Sequence, residues 1–427
     1  MSDEVPEKFN KCLLYLLIIL FIITGSLNTI FLKCIQNIKS LEVKFEEHHW
    51  IYNHTMFLGE LIALFFYIYI KKAKKEELKD DKNIENEGGT LQDSITEKTA
   101  KKPPVPSNLI FAISAGCDLL GSILSLFGLI YLSSSLYQMM TGFLLVLICL
   151  WSKILLKYNI YRHHILGIGS LILGLILVGL SVKFISKNND KIKHPIIGTL
   201  LVIFAQFFSS FGYIVQEKII KTYDVHPLQL VGYEGLWGII VFTFLLIIFQ
   251  FIPCNNWGIE GDICTINDND KYHLEDSIFS FRQIWEKKSI LILFIFYIIS
   301  IFLYNVVGIN ITKLVSSTSR AVADNARIVF VYLFFFIFGP EGTKETFDLI
   351  QFIGFLFLII GTLIYNEIIV LPFWGLDYYI RKNIIKRQKQ ELLDKLKKES
   401  ITDDYIIRRT GRSIEDNNET NENESEQ

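Results

Sequence analysis

The chain has 427 residues, 51% of them hydrophobic and 14% aromatic, with a formal net charge of −2 and a mean hydropathy of +0.36. So apolar a composition, arranged in long runs, excludes an ordinary soluble domain, and the near-neutral charge gives no footing for nucleic acid. Six cysteines are too few for a disulfide framework. No Walker loop, dinucleotide fingerprint or HExxH motif occurs, so an ATP-driven pump, a membrane protease and a resident cofactor all lack a binding motif.

Ten stretches approach the ~20 residues that cross ~30 Å of hydrocarbon. They are 12–32, 55–71, 107–130, 134–152, 165–185, 196–217, 227–252, 289–312, 316–338 and 348–371. The expected fold class is an all-α polytopic membrane protein of ten transmembrane helices. The first stretch is too long for a signal-peptide core and carries Thr24-Gly25-Ser26 inside it, so it reads as a retained helix. Residues 1–11 precede it. Between the second and third spans, 71–106 holds nine Lys and eight acidic residues, a composition that buries no core and reads as a disordered linker. His48, His49 and His54 have no metal-ligand spacing. His226-Pro227 suits the first turn of the seventh span, where the missing proline N–H costs nothing.

Lys and Arg concentrate in the tails and loops on the side of the two termini, which the positive-inside rule makes cytosolic. The opposite side then carries the 253–288 loop with Cys254 and Cys264. A disulfide is chemically allowed there, and their spacing leaves both a bridge and free thiols open. Asn53-His54-Thr55, a glycosylation sequon, lies on the same side but abuts the second span. The tail, 372–427, begins as a basic amphipathic helix suited to an anionic leaflet and ends in a polar acidic run.

Ionisable residues inside the spans carry most of the functional signal. A charge at membrane depth costs roughly 2.5–3.5 kcal/mol on insertion scales, and such residues mostly face a bundle interior or a watery path. Arg320, Asp324 and Arg327 are spaced i, i+4, i+7 and share one face of the ninth span. Asp324 can pair with either arginine, and the net positive stripe suits an anionic group. Asp118 lies mid-span beside Gly121, as a counter-ion or a proton-exchanging group. Glu60 and Glu234 lie nearer their span ends, each beside a glycine that permits close helix contact; a snorkelling carboxylate and a site residue both fit. Glu217 with Lys218 reads as interfacial. Gln138 starts the fourth span and lines a path or satisfies a tight turn.

The two halves echo each other. SLFGLIYLSSSLYQMMTG and NVVGINITKLVSSTSRAVADN each run from a Gly through a Ser/Thr cluster to a polar helix start, and Gly167 and Gly174 match Gly354 and Gly361. Two five-helix halves, 12–185 and 196–371, fit the repeat logic of secondary transporters, with the site between them at midplane.

The blocks MFLGE (56–60), CD (117–118), SSSLYQMMTG (133–142), VHPLQLVGYEGLWG (225–238) and STSRAVADNAR (317–327) resemble the drug/metabolite transporter superfamily, specifically the F-type branch of solute carrier family 35. The resemblance covers roughly 12–371. It implies inverted five-helix repeats, alternating access, no enzymatic activity, a small-molecule solute such as a nucleotide sugar or organic anion, and an endomembrane location with the lysosome favoured. Where the resemblance leads us to expect an arginine, this chain has Met140 followed by Thr141. The alternative from another class is a non-transporting scaffold that recruits partners through its linker and tail. Oligomeric state is left open by the sequence.

Overall fold

A computed structural model describes residues 11–40, 43–45, 48–87, 103–132, 134–187, 195–253, 265–266, 272–338, 349–380 and 382–394. Every expected span coincides with a helix among them. These are α1 (Lys11–Asn37), α2 (His49–Glu87), α3 (Ile110–Ile130), the pair α4 (Ser134–Thr141) and α5 (Phe143–Leu155), α6 (Arg162–Lys187), α7 (Pro195–Thr222), α8 (Pro227–Phe249), α10 (Lys288–Leu314), α11 (Ser317–Phe338) and α12 (Leu349–Tyr365). A short amphipathic helix, α9 (Ser277–Glu286), precedes α10. Two-residue antiparallel ladders pair β1 (Lys39–Ser40) with β2 (Val43–Lys44), and β3 (Thr265–Ile266) with β4 (Tyr272–His273).

Among the described residues six helices are long and apolar enough to cross a membrane: α1, α3, α6, α7, α8 and α10. Two expected spans are shorter as helices. The fourth is broken at Gly142 into α4 and α5, and α12 has 17 residues. One expectation is corrected at the start of the 71–106 linker. Helix α2 runs on to Glu87, because Lys, Glu and Ala are good helix formers and pairs such as Lys72 and Glu76 stand at i, i+4. Residues 88–102 lie outside the description, as do Cys254, Cys264 and 395–427.

The described residues form two compact units. The first contains 1–160 and 167–362, so helices of both expected halves interleave in it. Helix α3 packs on α7 and α1 on α10; α5 packs on α7 and α1 on α11; α3 packs on α8 and α10 on α2; and α2 packs on α8. Inside a bilayer such contacts rest on close packing and hydrogen bonds rather than on water exclusion. Glycines set the distances. A Cβ on Gly235 would stand 2.3 Å from the Leu61 nitrogen, so α8 meets α2 backbone to backbone beside Glu60. A Cβ on Gly174 would stand 2.7 Å from the Gly354 oxygen, and one on Gly361 2.7 Å from the Gly167 oxygen. The four glycines matched in the sequence therefore touch in antiparallel order. His226 caps α8, its Nδ1 accepting from Leu228 N at 3.3 Å. Burial, and then the charges of Lys313 and Lys74, lower its pKa and favour the neutral ring that this cap requires.

The second unit contains 161–166 and 363–427. Tyr161 stacks on Tyr379 at 4.8 Å, and Arg387 lies over Tyr378 at 3.7 Å. Ligand atoms of His163, His164 and Glu367 fall within 4.8 Å of one another. His164 Nδ1, however, already accepts from Tyr161 N at 3.1 Å, which commits that ring to its own helix start. A helical stretch over 382–394 leaves Ile385, Leu392 and Leu393 exposed, where the sequence places the amphipathic helix.

Candidate functional site

A cavity of about 230 Å³ lies among the helices of the first unit. Six of the seven residues singled out in the sequence line it: Glu60, Asp118, Glu234, Arg320, Asp324 and Arg327. Gln138 lies in α4, and its side chain falls outside the described residues.

Two relays converge on Arg320, which is 2% exposed. Its Nη1 donates to Gln216 Oε1 at 2.8 Å, and Gln216 Nε2 donates to both Glu234 oxygens at 3.0 and 3.1 Å. Its Nη2 reaches Asn305 Oδ1 at 3.5 Å, and Asn305 Nδ2 donates to Glu60 Oε1 at 2.8 Å. Each amide accepts from the guanidinium and donates to a carboxylate, so each is locked in one orientation. The guanidinium plane also lies 4.0 Å from the centre of the Tyr213 ring. Gly308 makes room for it: a Cβ there would stand 2.6 Å from Arg320 Nε. Asp118, on α3, completes the group electrostatically, with Arg320 and Glu60 as its neighbours.

Arg327 is different. Its Nε lies 3.0 Å from Asp324 Oδ1, the same oxygen takes the Tyr304 hydroxyl hydrogen at 2.6 Å, and Nη1 reaches the Gly25 carbonyl at 3.4 Å. Of the two partners open to Asp324, the fold uses Arg327. Both guanidiniums thus have internal partners, and the net positive stripe seen along α11 alone disappears once Glu60, Asp118 and Glu234 are placed beside it.

Glu60 and Glu234 are 2% and 3% exposed, so neither snorkels to an interface. Glu217 also departs from its interfacial reading, at 0% exposed. Its Oε2 accepts from the Ser317 N–H at 2.9 Å and from the Ser317 hydroxyl. Its Oε1 accepts from Lys221 Nζ at 2.5 Å and from the Tyr158 hydroxyl at 3.0 Å. Lys221 continues to the Val315 carbonyl at 3.2 Å. The carboxylate therefore sits on the positive end of α11 and ties α7, α11 and the segment after α5 together. Asn53, of the sequon, is 6% exposed in α2 and lines the cavity.

The site also uses Gln216, Asn305, Tyr213 and Tyr304, none of which stood out in the sequence. Their signal was present, since Gln216 and Asn305 are amides deep in apolar helices. Attention to ionisable groups alone passed over them.

Apolar helices long enough to cross a bilayer, packed around a charged cavity, define a multi-pass membrane protein. No family model matches the chain. Curated relatives do: it is 31% identical over 358 residues to solute carrier family 35 member F6 of Homo sapiens, spanning 81% of this chain and 87% of the relative. The Rattus norvegicus protein of the same name matches at 31% over 357 residues, with 81% and 87% covered. An uncharacterized protein of Schizosaccharomyces pombe matches at 29% over 358 residues, 84% of this chain and 98% of that one. The chain belongs to solute carrier family 35, in its F-type branch.

Proposed function

We propose that this solute carrier is a secondary active transporter that carries a small polar organic solute across an intracellular membrane by alternating access, with the Arg320 cavity as its binding site. The observation that carries the reading is the cavity itself: a space between apolar helices lined by charged groups that two relays hold at fixed positions. Its volume, about 230 Å³, falls below the ~300–1,000 Å³ typical of drug-sized ligands, which favours a metabolite smaller than a nucleotide sugar.

The helix pairings support a two-half repeat. Pairing α1–α6 with α7–α12 span by span, the contact of α3 with α7 has its mate in α1 with α10. That of α5 with α7 has its mate in α1 with α11, and that of α3 with α8 its mate in α10 with α2. Helices α6 and α12 meet through the matched glycines. An inverted duplication generates such mates. The cavity's lining runs from Gln216 and Arg320 toward Lys33 and Asn53. The Glu217 cluster sits where α7 ends and α11 begins, a place that the Lys/Arg bias assigns to the cytosol. In this reading Glu217, Lys221, Tyr158 and Ser317 form the cytosolic closure, and the other half-cycle separates them.

Uptake of a mixed metabolite pool into liposomes carrying the purified chain, with and without a pH gradient, tests the proposal. Accumulation of one solute class, lost in Arg320→Gln, is the expected result. No accumulation by demonstrably folded protein overturns it.

A further inference from the structure

Three carboxyl groups face one guanidinium in the cavity: Glu60 from α2, Asp118 from α3, Glu234 from α8 and Arg320 from α11. The other charged pair, Asp324 with Arg327, closes on itself. Lys33 of α1 lines the cavity as well, as do Tyr137, Tyr213, Tyr297 and Tyr304, neutral phenols at ordinary pH. With all three carboxyls ionised, the carboxylates outnumber Arg320 and Lys33 by one, and two of them, Glu60 and Glu234, are buried, a costly state. A second observation points the same way. Glu60 Oε2 is buried with no amide, hydroxyl or amine among the described residues to donate to it, and Asp118 is the neighbour with which the Glu60 carboxyl pairs, a pairing that needs a shared proton. An anion entering this space meets carboxylates in excess, and of the two guanidiniums, engaged by Gln216, Asn305 and Asp324, only the Nε–H groups lack a hydrogen-bond partner among the described residues.

We infer that the solute is an organic cation, held by Glu60, Asp118 and Glu234, and that it exchanges with the protons that neutralise these carboxyls when the cavity is empty. This deepens the transport reading and rests on it. The balance is simple. Each positive charge that enters takes the place of a carboxyl proton, which leaves to the water on the side from which the solute came, so the cavity's net charge is the same before and after. On the opposite side the cation leaves and protons return. The cycle is an exchange in which an outward-directed proton gradient drives cation entry.

The test uses the full chain in proteoliposomes with an acidic interior. The probes are labelled tetraethylammonium and choline as cations, UMP and citrate as anions, and glucose as a neutral solute; a trapped pH-sensitive dye reports protons. The inference expects cation accumulation that alkalinises the interior. Glu60→Gln and Glu234→Gln should each bind tetraethylammonium about tenfold more weakly (~1.4 kcal/mol) while unfolding at an unchanged or higher temperature, and Glu60→Asp should recover part of the uptake. UMP, citrate or glucose uptake without cation uptake overturns the inference and leaves the transport reading standing. Cation uptake with no proton movement, or undiminished in both glutamine variants, also overturns it. No uptake of any probe by folded protein overturns the transport reading, and the inference with it.

Discussion

Glu217 and Glu60 are both glutamates buried in apolar helices, at 0% and 2% exposure, yet their surroundings are opposite. Glu217 has a donor for each oxygen and a lysine within 2.5 Å. Glu60 has one amide for one oxygen, no amide, hydroxyl or amine among the described residues for the other, and two further carboxyls facing it, of which Asp118 pairs with it. A satisfied buried charge holds elements together, and its environment gains nothing from a ligand. An incompletely satisfied one leaves a place that a proton, a water or a ligand can complete. In the proposed transport cycle this contrast separates closure from binding site within one bundle.

The largest effect should come from breaking the point where both relays meet. Arg320→Gln leaves Glu60 and Glu234 without their cation; removing one partner of a buried charge network costs roughly 3–5 kcal/mol. Uptake should fall to that of protein-free liposomes, and the thermal midpoint of the purified chain should drop. Arg320→Lys should restore little, because a single ammonium cannot span Gln216 and Asn305 as the guanidinium fork does. Recovery of full uptake by the lysine variant would show that charge alone matters.

Next in size is the closure. Glu217→Ala removes the acceptor for Ser317, Lys221 and Tyr158 together. Hydrogen bonds to a charged group contribute about 1.5–3 kcal/mol each, but they share one carboxylate, so a loss of about 2–3 kcal/mol is expected. Amide exchange at Ser317 should accelerate, while the affinity of the empty cavity for its solute changes far less than in Arg320→Gln. If exchange at Ser317 stays slow, the carboxylate does not hold the start of α11.

Much of this was legible in the sequence, for reasons that differ by feature. Helix positions were readable because a bilayer demands long apolar runs, and α1, α3, α7, α8 and α10 each supplied one. The i, i+4, i+7 spacing placed Arg320, Asp324 and Arg327 on one face, and all three line the cavity. The choice of Arg327 over Arg320 as the partner of Asp324 was not readable, because Tyr304 and Gly25 decide it from other helices. Distance from a span end left Glu60 open between interface and site and misplaced Glu217, because other helices, not water, cover both. Composition made 71–106 look structureless, although its first turns continue α2 to Glu87. The sign of the site was the hardest to read: α11 alone looks cationic, and the carboxyls that reverse this come from α2, α3 and α8.

A smaller perturbation leaves every charge in place. Gly308→Ala puts a methyl 2.6 Å from Arg320 Nε and 2.8 Å from the Phe21 ring. Overpacking of this kind costs about 1–3 kcal/mol. Because the clash is with the guanidinium rather than with backbone, the expected signature is weakened solute affinity with little change in helicity by circular dichroism. An equal loss of stability and affinity would place the defect in helix packing instead.

The smallest effect separates the transporter from the scaffold. The helical stretch over 382–394 presents Ile385, Leu392 and Leu393 to the outside among many basic residues, as an amphipathic segment on an anionic leaflet would. A chain truncated before Lys382 should take up solute at the intact rate in liposomes of neutral lipid, where no surface potential attracts the tail. With anionic lipid, only the efficiency of reconstitution should change. If the truncated chain instead loses uptake in neutral lipid while Arg320→Gln retains it, the tail rather than the cavity is the working part. The contrast between a satisfied Glu217 and an unsatisfied Glu60 would then describe packing alone.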